Sequence, residues 1–217
     1  MLKKEVLKRY VLLVIGLFFS AMGVAVTKCG GLGVSPISSV ANVFSYAFTS
    51  LSMGVWLILW NCILIAGQIV ILRKNFKLVQ LLQIPLSLLF GYFTDFGVWC
   101  ASHIPTDYYL VRFAMVLMGV IILGFGISLA VIAGVIMNSG EAFVQAVSDV
   151  TGKNFGNIKI AFDIGCVILA IVLSLIFFDF QVIGTREGTI IAAIFTGVVV
   201  KFFTSRLQNP LTEVLVQ

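Results

Sequence analysis

The residues in this chain able to do polar chemistry inside an apolar setting concentrate in two short segments. The first is GLGVSPISSV, residues 31–40, continuing through Asn42 to Ser45. Ser38, Asn42 and Ser45 are spaced four and three apart, which places them along one face of a helix. Ser35 suits an N-cap and Pro36 a first helical position. Gly31 and Gly33 ahead of them allow an unusual chain path. The second segment is MNSGEAFVQAVSDV, residues 137–150. Here Asn138 or Ser139 can cap, and Glu141, Gln145 and Ser148 repeat the polar stripe.

A helix N-terminus at membrane depth offers unpaired N–H groups and the positive end of the macrodipole, which favour an anionic or oxygen-bearing group. Two such ends meeting would make a polar site inside the protein. Glu141 stands where the first segment has Ser38, so the site would be asymmetric in charge and suited to a cation, a proton or an ammonium group on a solute. Two plainer readings stand beside this one. Glu141 can serve only as a cap, and the stripes can serve only to bond neighbouring helices.

Other candidates are scattered. Asn61 and Asp163 occupy nearly matching places in later apolar runs, and Asp95 lies near the outer end of its run. A carboxylate at the bilayer centre costs about 2.5–3.5 kcal/mol on insertion scales and less near the interface. Asp163 follows Lys159 by four residues, so a helical ion pair is also open to it. Lys201 can snorkel to the headgroups. The four cysteines form no C-x-x-C pair and His103 is the single histidine, so no metal site, no cofactor and no enzymatic constellation is expected.

The elements that must carry these residues are membrane helices. The chain is 60% hydrophobic and 11% charged, against about a quarter charged in soluble domains. Long apolar runs lie at about 10–28, 52–72, 78–101, 109–133, 158–178 and 187–205, each near the roughly 20 residues a bilayer core requires. The first follows MLKKEVLKR without an A-x-A-like cleavage site and reads as a retained span. The two polar segments, of about a dozen helical residues, are too short to span at 1.5 Å per residue. With six spans and two re-entrant segments, 11 of the 14 Lys and Arg residues fall on the inner side with both termini; with eight spans only 9 do. The positive-inside rule favours the six-span arrangement. The net charge of +5 therefore reads as a topology signal, and no nucleic-acid partner is expected.

The chain also repeats itself. Arg9, Gly16 and Gly23 recur as Arg112, Gly119 and Gly126 at an offset of 103, and Gly31, Ser35, Ser38, Asn42 and Ser45 meet Gly134, Asn138, Glu141, Gln145 and Ser148. Gly91 and Gly197 lie in the last run of each half. Three spans per half would place the halves, 1–104 and 105–217, in opposite orientations as an inverted repeat within one membrane domain. Gly16, Gly23, Gly119, Gly124 and Gly126 would let the first span of each half approach its neighbours, and Arg9 and Arg112 would anchor the halves at opposite faces.

Three motifs carry a resemblance: GLGVSP, with Gly31, Gly33 and Pro36; LLQIPLSLLFGYFTDF, with Gly91 and Asp95; and VIGTREGTIIAAIFTG, with Gly184, Thr185, Gly188, Thr189 and Gly197. In order and spacing they resemble the YczE/YyaS/YitT family, closest to its YczE-like branch, over nearly the whole chain. The third departs from the shorter G-x-G-T of the family, because Arg186 and Glu187 separate its two Gly-Thr pairs. The resemblance implies a multi-pass protein of the bacterial cytoplasmic membrane and supplies no reaction. The expected fold is an all-α polytopic protein of six transmembrane helices and two short re-entrant helices in a 3+3 inverted repeat. The expected function is a secondary transporter or facilitator of a small polar solute. A narrow channel and a non-transporting scaffold or accessory subunit are the alternatives. Expected partners are membrane lipid, the solute, and a second copy or another membrane protein.

Overall fold

A computed structural model describes residues 3–216. Among them the regular structure is helical: α1 (Lys3–Gly30), α2 (Pro36–Ala47), α3 (Met53–Leu72), α4 (Gln83–Ala101), α5 (Tyr109–Ala133), α6 (Ser139–Thr151), α7 (Phe155–Phe177) and α8 (Glu187–Val216), with 3-10 turns at Arg73–Asn75 and Leu78–Leu82. The six long helices are apolar enough to cross a membrane. At 12 and 13 residues, α2 and α6 are the short ones. The apolar run at 109–133 coincides with α5 at both ends. Two helices outrun their apolar patterns. α1 begins in the charged N-terminal stretch, where Glu5 and Arg9 pair at 3.0 Å. α8 continues past the expected end at 205 through Pro210. Its far end is held by a buried Leu215 and by Lys8 Nζ, which donates to Val214 O at 2.9 Å.

At the centre α1 and α5 pack along their lengths, and glycine decides how closely. A Cβ on Gly23 would sit 2.4 Å from Leu123 N, and one on Gly126 would sit 2.3 Å from Ser20 N. Gly16 and Gly119 meet the partner backbone in the same way. With no solvent-driven attraction between helices in lipid, such contact area is the main source of association.

Both helices end within the protein at a left-handed glycine, Gly31 at φ 67° and Gly134 at φ 60°. A helix end leaves carbonyls without intrahelical partners. Arg112 on α5 answers them for α1, donating from Nε to Gly30 O at 2.9 Å and from Nη2 to Gly31 O at 3.0 Å. Arg9 on α1 answers for α5, donating from Nη1 to Ala133 O at 3.1 Å. Each arginine thus closes the end of the other's helix.

The remaining helices pack around this pair. α4 lies on α1 and α8 on α5; α2 lies on α7 and α6 on α3. Each short helix therefore rests mainly on a long helix from the other half of the sequence. Phe44 stacked on Trp56 at 4.9 Å also ties α2 to α3. α3 packs closely on α4, whereas α7 and α8 make no comparable contact.

Glycine at the central crossing should be the residue least open to substitution. Gly126→Ala drives a methyl into backbone and is expected to cost about 1–3 kcal/mol. Gly197→Ala, where nothing lies within 4 Å, is expected to be neutral or to gain up to about 1 kcal/mol from helix propensity. Thermal unfolding in detergent compares the two.

Candidate functional site

The first turns of α2 and α6 meet. A Cβ on Gly140 would lie 1.7 Å from Ile37 Cδ1, so the absence of a side chain at 140 is what lets Ile37 seat there. Ile37, Asn138 and Glu141 all keep some accessible surface, whereas Ser35, Ser38, Ser39 and Ser139 are buried.

Ser35 and Asn138 stand at the two N-cap positions, but neither side chain caps its helix. α3 and α7 behave differently, whereas α4 and α5, with Leu82 and Tyr108 at the N-cap, also lack a side-chain cap. Ser52 accepts from Val55 N at 3.2 Å to cap α3, and Asn154 accepts from Gly156 N at 2.8 Å to cap α7. The two inner ends are thus left without the side-chain oxygen that usually satisfies them. Ser35 Oγ instead donates to Ser38 Oγ at 3.0 Å, and Ser39 Oγ donates to Pro36 O at 2.5 Å and lies 3.4 Å from Cys166 O on α7.

At the α6 end the surroundings are polar on one side and charged on the other. Gln68 on α3 and Gln83 on α4 exchange two amide hydrogen bonds of 3.1 Å, and Gln68 Nε2 also donates to Ser139 O at 3.0 Å. Ser139 Oγ lies 3.2 Å from Ser87 Oγ. Glu141 turns back to its own backbone N–H, and the charged groups that act on it are Lys159 and Asp163 of α7. Those two form a bidentate pair, Lys159 Nζ lying 2.5 and 2.7 Å from the Asp163 oxygens. Asp163 sits about two turns into α7, which starts at Phe155. The local i,i+4 pair expected there is present.

The structure does not gather every candidate into one place. The stripe on α2 divides. Asn42 and Ser45, at its far end, accept from Lys28 Nζ at 3.1 and 2.6 Å, and the same ammonium lies 4.3 Å above the Tyr46 ring. Asn42 Nδ2 also donates to Gly184 O at 2.7 Å. The stripe on α6 divides too, with Gln145 donating to Asp149 at 2.6 Å and Ser148 to Lys153 O at 2.7 Å. Asp95, on α4, is taken up by the start of α3: its Oδ1 accepts from Gly54 N at 2.7 Å and its Oδ2 from Ser52 Oγ at 2.5 Å. Asn61 is half-buried on α3. The residues left around the junction of α2 and α6 are Ser35, Ser38, Asn138, Ser139 and Glu141, with Asp163 beside them.

The third motif docks on the first. Gly188 N donates to Leu32 O at 2.8 Å, and Thr189 Oγ1 would be 2.4 Å from a Cβ on Gly33. Arg186 and Glu187, the inserted pair, bond one another at 3.3 Å near the surface. The glycines that dock, Gly33 and Gly188, lie directly against this turn.

Lys28, Gln68, Gln83 and Ser87 escaped the sequence reading. The two glutamines carried a signal, being amides inside apolar runs on either side of a short turn, where a helical hairpin brings them face to face. Removing one of them should strand the other. Gln68→Leu alone is expected to cost about 1–3 kcal/mol, the penalty of an unpaired buried polar group. The double variant Gln68→Leu/Gln83→Leu is expected to lie closer to the unsubstituted protein in unfolding midpoint than either single variant.

A family model described as a family of unknown function, DUF6198, matches residues 7–205. The chain is 25% identical over 206 residues to a Bacillus subtilis (strain 168) protein described as uncharacterized membrane protein YczE, covering 93% of this chain and 87% of that protein. No solved structure matches the chain.

Proposed function

The chain belongs to the DUF6198 family, a family of unknown function, and from its geometry we propose that this membrane protein is a carrier for a small polar solute. The observation that carries the reading is the meeting of α2 and α6, first turn against first turn, with neither N-cap side chain bonded to its own helix. Non-helical backbone at membrane depth persists where protein or a water-filled cavity receives it. In this reading α2 and α6 are re-entrant, and the chain between them and the long helices is the interruption found at transporter binding sites.

The repeat supports it. At the offset of 103 Ile37 corresponds to Gly140, Arg9 to Arg112 and Gly30 to Ala133. Exchanging the halves turns the bond from Arg9 to Ala133 into the bond from Arg112 to Gly30. It likewise turns the packing of α2 on α7 into that of α6 on α3. These correspondences fit two halves, 1–104 and 105–217, set in opposite orientations in a bacterial cytoplasmic membrane with both termini inside.

The solute's contacts follow from charge. The open end of α2 suits an oxygen of the solute, and Glu141 suits an ammonium or other positive group. Ser35, Ser38, Asn138 and Ser139 supply neutral hydrogen bonds, and Asp163 is held by Lys159 behind them. Ile37 seated against Gly140 obstructs a standing pore between the two ends, which favours a carrier over a channel.

Uptake into proteoliposomes tests the function on a panel of amino acids, amines, sugars and organic acids. Saturable uptake is expected for at least one class. Glu141→Gln is expected to lower it about tenfold or more, equivalent to losing about 1.4 kcal/mol of interaction. Uptake equal to that of empty vesicles across the whole panel would sink the carrier reading.

A further inference from the structure

The two halves differ most in how their last helices meet. α3 and α4 are locked together near the start of α3. A Cβ on Gly54 would lie 2.1 Å from Gly91 O, so these two glycines bring the helices into backbone contact. Asp95, one turn beyond Gly91, holds the N-terminus of α3 through Gly54 N and Ser52 Oγ. A carboxylate at a helix N-terminus is attractive for both its hydrogen bonds and the dipole.

The second half repeats the glycines and reverses the charge. At an offset of 102 Asn154 and Gly156 stand for Ser52 and Gly54, and at an offset of 106, set by the glycines, Gly197 and Lys201 stand for Gly91 and Asp95. Here the helices do not close. Gly197 has no neighbour within 4 Å, and Gly156 meets only Asn154 Oδ1, the atom that caps its own helix. Lys201, an exposed cation on α8, can neither accept from N–H groups nor be attracted by the positive end of α7. Surfaces able to pack as α3 and α4 do are therefore present on α7 and α8 and unused.

We propose that α3–α4 and α7–α8 are the two gates of the protein, one closed and one open, and that a change of state exchanges them. The inference rests on the carrier reading with halves in opposite orientation. It adds that Asp95 holds the outer gate shut and that Lys201 in the matching place keeps the inner gate open. The resting protein opens on the inner side, between the start of α7 and the part of α8 around Gly197 and Lys201.

Distances measured between spin labels test this without any solute. In a variant with Cys29, Cys62, Cys100 and Cys166 replaced, one labelled pair sits at Ser50 and Ser102, exposed beside the outer gate, and another at Asn157 and Ser205, exposed beside the inner one. Asp95→Asn is expected to lengthen the first distance and shorten the second. Lys201→Asp is expected to shorten the second, toward helices packed at about 8–10 Å between axes. A second distance that stays unchanged in Lys201→Asp, or that is already short before substitution, overturns the proposal. Should Asp95→Asn fail to fold, Lys201→Asp decides alone. A panel without transport would count against the carrier reading and leave the gate distances as an independent result.

Discussion

A helix that ends inside a membrane protein must find partners for its last carbonyls, because lipid offers none. α1 and α5 meet this demand reciprocally, through Arg112 on Gly30 and Gly31 and through Arg9 on Ala133. Much else is arranged around that exchange. It requires the two helices to run antiparallel at backbone contact, which accounts for the glycines at the crossing. It also sets where the chain turns off each helix, at Gly31 and Gly134, and so where α2 and α6 begin. The meeting of Ile37 with Gly140 is a downstream result of two arginines and a glycine-lined crossing.

Within this frame the halves diverge where their charges diverge. Glu141 lies at the position corresponding to Ser38 at the offset of 103, and Lys201 at that corresponding to Asp95 when Gly197 is set on Gly91. Lys28, which ties α1 to the far end of α2, has Val131 in its matching place. None of these changes touches the α1–α5 crossing. The shared backbone arrangement can be kept while the field around it becomes unequal, with an ammonium at one end of α2 and a carboxylate at the start of α6. For the carrier reading proposed above, an unequal field suits a solute with two different ends better than a symmetric one.

The long helices were legible because lipid imposes length and apolarity on any span, and α5 shows it at both ends. α8 was not, since its extension past 205 rests on two tertiary contacts, Leu215 buried and Lys8 on Val214 O, which no local pattern announces. The polar stripes were legible as helical faces and illegible as destinations. Spacing places Ser38 and Asn42 on one side of α2, but only the packed structure shows Ser38 bonded to Ser35 at one end and Asn42 taken up by Lys28 and Gly184 at the other. A capping residue can likewise be recognised from sequence. Whether Ser35 spends its hydroxyl on the helix or on a neighbour depends on what surrounds it.

That last distinction bears on function. A capped helix end is satisfied and has little left to offer a ligand, whereas an uncapped end retains donors. α3 and α7 start at the protein's edge, where water competes for their N–H groups, and both are capped by their own side chains. At α2 and α6 the N-cap residues, Ser35 and Asn138, can cap by type and do not. α4 and α5, with Leu82 and Tyr108 at the N-cap, also lack a side-chain cap, because neither residue type carries an oxygen able to reach the first turn. In the carrier reading proposed above, the start of α2 is the end left to a solute's oxygen, while at the start of α6 Glu141 reaches the backbone itself.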